Sequence, residues 1–150
     1  FWNLPYDKYH TWILKKKEEV HTIFSVYQPQ TCLFAFLQFH PFKNNRRIQL
    51  DDMYNNMENM INILKTMGKE KGLTYYNTDY ELRTFNGMPS IRLYYKEVYN
   101  RQIRHALSYY TIGQKGIYIV TTKIDDANFK KYGIAYMVGV LSGFRIIENE

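Results

Sequence analysis

Between residues 73 and 123 the chain carries strand-forming residues broken by two sharp turns, and no other stretch limits the possible folds as strongly. Residues 75–85 and 88–97 flank Asn86-Gly87 and read as one hairpin. Residues 106–112 and 117–123 flank Gly113-Gln114-Lys115-Gly116 and read as a second. Asn-Gly favours the turn with positive φ at both central residues, whose twist matches that of paired strands. A two-residue loop there sets Glu81 opposite Arg92 and Arg83 opposite Ser90, so an opposite-charge pair supports the register. The second turn sets Ile112 opposite Ile117, Tyr110 opposite Ile119 and Ser108 opposite Thr121. The register of an antiparallel sheet is largely written here, but no chemistry is.

Upstream, residues 1–10 form an aromatic, proline-containing lead-in that is expected to be extended. Strands are expected at 11–15, 20–27 and 31–39, with a polar turn at 16–19 and a break at Gln28-Pro29-Gln30. The run 31–39 (TCLFAFLQF) is apolar at nearly every position, which requires layers above and below it. The alternation Ile91-Arg92-Leu93-Tyr94 instead implies one wetter face, nearer a sheet edge. Residues 41–48 are a basic loop.

The spacing of Met53, Met57, Met60, Ile61, Leu64 and Met67 predicts a helix from Asp51 or Asp52 to Met67, with that face in the core. Asp51 is placed to cap its start, and Gly68 to close it in the left-handed conformation. A second helix is expected over 126–142, with Phe129, Gly133, Met137, Val140 and Leu141 on one face and Gly143 ending it. Residues 144–147 should follow as a short last strand. No repeat, low-complexity tract or linker interrupts the 150 residues, so 1–150 is read as a single domain.

Hydrophobic residues make up 45% and charged residues 23%, the balance of a globular chain. At this length folding buries roughly 70% of the chain's surface, so neither disulfides nor a metal is needed to hold a core. Cys32 is the only cysteine, which excludes an intrachain disulfide, and its apolar setting reads as core rather than nucleophile. No run approaches the ~20 apolar residues of a membrane-spanning helix. The net charge of +6 permits attraction to polyanions, yet the basic residues are scattered, as solubility charge usually is.

His10, His21, His40 and His105 have no partners at metal-ligand spacing. Asp51-Asp52 and Asp125-Asp126 stand where helices begin, and capping accounts for them. Gly113 to Gly116 lacks the frame of a phosphate loop and precedes a strand. No catalytic, metal or cofactor-binding residue is therefore assigned. The candidate partner surface is Arg92, Tyr94 and Lys96 on one face of a strand, followed by Tyr99, Arg101 and Arg104. Aromatic stacking with cations is also how single-stranded nucleic acid is held.

The order of strands, helix, antiparallel meander and closing helix, with Asn86-Gly87-Met88-Pro89, the run from Gly113 to Thr121 (GQKGIYIVT) and Ser142-Gly143-Phe144, resembles the PsbP-like superfamily over residues 20–147. That group also contains a Ran-binding nuclear import factor and many secreted bacterial lipoproteins. The resemblance implies an α+β fold, with an antiparallel sheet of about six strands flanked by helices on both faces as an α/β/α sandwich. It implies a non-catalytic binding or assembly module with a protein partner and no cofactor. With that reading goes an exported protein, or one membrane-tethered through a missing N-terminus, extracytoplasmic in preference to cytoplasmic. The start at Phe1 fits either a trimmed chain or a mature protein without its targeting segment, so the absence of a signal peptide decides nothing. The alternatives are a nucleic-acid or polyanion binder using the Tyr/Arg/Lys surface, and a small hydrolase with scattered catalytic residues.

Overall fold

The computed structural model describes residues 13–15 and 22–146. Seven strands form one antiparallel sheet: β1 (Ile13–Lys15), β2 (Thr22–Gln28), β3 (Leu33–Pro41), β4 (Thr74–Phe85), β5 (Met88–Tyr99), β6 (Gln102–Ile112) and β7 (Gly116–Asp125). Three helices accompany them: α1 (Leu50–Asn55), α2 (Met57–Glu70) and α3 (Asp126–Ser142). Since β1 is only three residues long, six strands carry the sheet, as the sequence led us to expect. Their order is β1-β2-β3-β7-β6-β5-β4. After β3 the chain passes through α1 and α2 to the far edge, enters as β4, and returns as a meander that lays β7 against β3. The lead-in 1–10, the turn 16–19, His10 and His21 lie outside the described residues.

The registers follow the turns. Glu81 pairs with Arg92 and Arg83 with Ser90 across Asn86 (φ 51°) and Gly87 (φ 75°). Ile112 pairs with Ile117, Tyr110 with Ile119, and Ser108 with Thr121. A third hairpin was not foreseen: β5 and β6 are joined by Asn100 (φ 48°) and Arg101 (φ 65°), with Tyr99 opposite Gln102. Only Asn100 hinted at it, because arginine seldom adopts left-handed angles.

Two apolar clusters hold the helices. Leu33, Ala35, Leu107, Tyr109 and Val120 pack with Met137, Val140 and Leu141 of α3. Ile91, Leu93 and Tyr110 pack with Met53 of α1 and with Met57 and Ile61 of α2. Side chains alternate along a strand, so Tyr109 and Tyr110 point to opposite sides of the sheet. Each fully buried Leu or Ile contributes about 2 kcal/mol of transfer free energy.

Several expectations are corrected. The first helix is two, divided at Asn56 (φ −97°, ψ 2°). It starts at Leu50 after Gln49, which makes no side-chain cap, so Asp51 and Asp52 sit in the first turn and complement the helix dipole instead. Gly68 lies inside α2, where a Cβ would fall 2.5 Å from the Tyr75 ring. The left-handed residue is Gly72 (φ 75°): its N–H donates to the Lys69 carbonyl at 3.1 Å, and the Leu73 N–H donates to the Gly68 carbonyl at 2.8 Å. Met67 is exposed, because ten residues beyond Met57 the helix has rotated it about 80° off the buried face. Cys32 is exposed too, in the turn before β3, with its thiol donating to the Pro29 carbonyl at 3.8 Å.

α3 has the expected bounds and is capped by Asp125, whose carboxylate accepts from the Asn128 N–H at 2.7 Å. Its backbone leaves helical angles at Gly133 (φ 71°, ψ −178°). Residues 144–146 form no strand, and Ile147 lies outside the described residues. Phe144 is buried, and its carbonyl accepts from Asn86 Nδ2 at 2.6 Å, so the segment docks on the first hairpin turn rather than joining the ladder.

Nothing lies within 4 Å of a Cβ added at Gly87, so Gly87→Ala introduces backbone strain without a clash. A loss of about 1 kcal/mol is expected in urea denaturation, and an unchanged midpoint would show that the turn does not need the left-handed conformation.

Candidate binding groove and two polar clusters

Helices α1 and α2 contact β5 and β4, leaving the same face of the sheet recessed over β2, β3, β7 and β6. There the end of α2 borders a groove of about 440 Å³. Its floor includes Ser25, Ser108, Thr121 and Ile119, and its wall includes Leu64, Lys71 and Leu73. The small polar side chains leave the space that larger ones would fill. Ser108 and Thr121 satisfy one another at 2.7 Å between hydroxyl oxygens.

One end of the groove is electrostatically unusual. The alternation Ile91, Leu93, Tyr95 continues to Glu97, so a carboxylate occupies a position that is apolar elsewhere on this face. Glu97 is only 1% exposed. Lys123 donates to its Oε2 at 2.7 Å. Arg104, its cross-strand neighbour, approaches Oε1 at 2.8 Å as an ion pair without hydrogen-bond geometry. Two cations on one carboxylate leave a positive excess, to which Lys71 adds. Burial, reinforced by Glu97, pushes the Tyr95 and Tyr75 hydroxyls above their ordinary range, so both stay neutral donors.

The second cluster lies on the α3 side. Tyr94 donates its hydroxyl to His105 Nδ1 at 2.7 Å, and His105 Nε2–H donates to Asp126 Oδ1 at 2.7 Å. Lys130 pairs with the other Asp126 oxygen at 2.9 Å. The His105 ring is 2% exposed and stacks on Phe129 at 3.7 Å. With both nitrogens engaged and the ring enclosed, the imidazole is a strut between β6 and the first turn of α3. The hydrogen bond from His105, then the bond from Lys130, holds the Asp126 carboxyl down at about 2. Burial, then Asp126, raises the Tyr94 hydroxyl.

The six surface candidates divide between these places. Arg92 bonds Glu81, Tyr94 is in the His105 strut, and Lys96 is half-buried on the same face. Arg104 belongs to the opposite face, at the groove. Tyr99 and Arg101 are exposed at the β5–β6 turn, where the Tyr99 ring would lie 3.7 Å from a Cβ on Gly72. Tyr99, beside Gly72, and Arg104, in the groove, thus stand near Lys71, and Arg101 shares the turn with Tyr99. Sequence reasoning missed Glu97, Lys123 and Lys71, and it placed Asp126 at the helix start without its bond to His105. Glu97 was detectable as a charge interrupting an apolar alternation; the others needed the folded chain. Among the described residues no three His, Cys, Asp or Glu side chains gather to hold a metal, and no helix is long and apolar enough to cross a membrane.

No family model and no curated protein matches the chain. Among solved structures, it is similar to the solution structure of cyanobacterial PsbP (CyanoP) from Synechocystis. The TM-score is 0.66 at 13% identity, covering 91% of this chain and 82% of that one. The fold is PsbP-like. At such low identity the likeness bears on the fold alone, so the groove of this PsbP-like chain has to be read from its own residues.

Two predictions follow from the clusters. Replacing both Lys123 and Arg104 by Met strands the Glu97 charge in the interior and should cost about 3 kcal/mol in denaturant. Adding Glu97→Gln should recover most of the loss, and a double variant as stable as wild type would contradict a buried charge. The Asp126 carboxyl is depressed from 3.8 to about 2 in the fold, so its contribution is present above pH 3.8 and disappears as pH falls towards 2. Asp126→Asn should therefore lower the melting temperature at neutral pH, with the two curves converging near pH 2. Parallel curves would show that the strut is not linked to protonation.

Proposed function

We propose that this chain is a non-catalytic binding module of PsbP-like fold, layered α/β/α, whose groove receives an acidic segment of a protein partner. The observation that carries the reading is the positive end of the groove, where Arg104 and Lys123 pair with a single buried carboxylate and Lys71 lines the same groove. A carboxylate of the partner fits among these cations, and an apolar side chain fits against Ile119 and Leu73 farther along. Tyr99 and Arg101 at the adjoining turn extend the surface with an aromatic ring and an exposed cation, the pairing enriched where proteins meet. Arg92 is left to tie β5 to β4 through Glu81, and Tyr94 to support His105 under α3.

The test compares a fluorescent peptide of alternating glutamate and phenylalanine with oligothymidylate of equal charge, both followed by anisotropy in a salt series. The peptide should bind, and Lys71→Glu with Arg101→Glu should weaken it about tenfold through lost charge complementarity. Among the described residues neither cation is in an ion pair, so the melting temperature should hold. Equal binding by the variant would remove the groove from consideration. Tighter oligothymidylate binding with a steep salt slope would replace this reading by the nucleic-acid one.

A further inference from the structure

The β4 edge carries an arrangement independent of the groove. β4 ends the sheet, and among the described residues no strand lies on its outer side. It is 12 residues long, about twice the usual strand. A shift in register between Tyr76 and Asp79, with Asn77 at φ 49°, disrupts its first part, but 79–85 pairs with β5 without interruption. Long regular edges invite another strand.

The free backbone groups on this edge can be assigned. The two-residue turn at Asn86-Gly87 makes Phe85 and Met88 the closing pair that exchanges hydrogen bonds. By alternation Arg83 and Glu81 also bond inward to β5, while the N–H and C=O of Thr84, Leu82 and Tyr80 face outward. Leu82 is 52% exposed beside Ile91, an apolar side chain at the middle of the edge. Glu81 and Arg83 flank it on the other face, 2.9 Å apart, with Arg83 the leading cause of a lowered Glu81 carboxyl pKa.

We propose that two copies of this chain join antiparallel through β4 about a twofold axis at Leu82, making one continuous sheet. Charge selects this register. Centred on Leu82, Glu81 of each copy stands opposite Arg83 of the other, and the outward groups of Tyr80 meet those of Thr84. Moving the axis one residue to Arg83 opposes two arginines. Moving it to Glu81 opposes two glutamates. The shift to Arg83 loses both attractive cross-strand pairs, and the shift to Glu81 replaces them by Asp79 opposite Arg83 but adds the repulsion between glutamates and parts the two Leu82 side chains. The exposed Leu82 side chains then cover each other across the axis.

Sedimentation equilibrium from about 10 µM to about 1 mM tests the pairing, because an interface of one strand per copy is small. Wild type should dimerise. Arg83→Glu alone and Glu81→Lys alone should each be monomeric, and an equimolar mixture of the two should recover the dimer, since each then supplies the charge the other lacks. In the wild type the amide of Leu82 should gain protection from hydrogen exchange as concentration rises, while the inward amide of Arg83 stays protected throughout. A wild type monomeric at 1 mM would overturn the proposal and leave the edge to a strand of a different protein. A dimer that survives Arg83→Glu, or that leaves the Leu82 amide unprotected, would overturn it as well.

Discussion

β6 runs through the middle of the sheet with every side chain from His105 to Thr111 buried. A strand enclosed in this way is stable only if both neighbours hold it in register, because a slip of one residue would exchange all its partners at once. That register is fixed locally, by Asn100 and Arg101 on one side and the turn from Gly113 to Gly116 on the other. The apolar clusters then follow. Leu107 and Tyr109 meet α3, while Tyr110 meets the packing of α1 and α2.

The polar groups inside this sheet are placed with the same economy. Ser90 and Thr111 satisfy each other at 2.8 Å, and the Thr122 hydroxyl donates to the Phe34 carbonyl at 2.9 Å, so hydroxyls sit in the interior without losing their hydrogen bonds. The two charged clusters arise from consecutive residues of β6. Arg104 points towards Glu97 and the groove, and His105 points towards Tyr94 and Asp126 under α3. One strand thus anchors a helix terminus on one side and presents a positive groove end on the other. Tyr136 of α3 adds a remote tie, donating to Gln28 at the end of β2 at 2.8 Å.

Groove and edge answer different physical needs. The groove lies on the sheet face beside the end of α2, where Ser25, Ser108 and Thr121 sit among larger side chains, and its charged end sets two cations against one buried carboxylate. The β4 edge is defined by backbone groups whose partners the meander does not supply. The two features lie apart on the fold, the groove over β2, β3, β7 and β6 and the edge on β4.

The sequence by itself determined two of the three hairpins of the meander, because the turns at Asn86-Gly87 and from Gly113 to Gly116 each leave one register open, and it determined α3, because Asp125 and Gly143 bracket a helical spacing. The order of elements pointed to the PsbP-like fold for the same reason: turns and helix ends are local chemistry. Only the tertiary structure decided which positions are buried. Met67 was expected on the same face as Met57 yet emerges into solvent, since ten residues along the continuous helix α2 turn it about 80° away from the buried side. Only the fold could unite Lys71, Glu97, Arg104 and Lys123, which come from one helix end and three strands, because charge pairing acts through space and leaves no period in the chain.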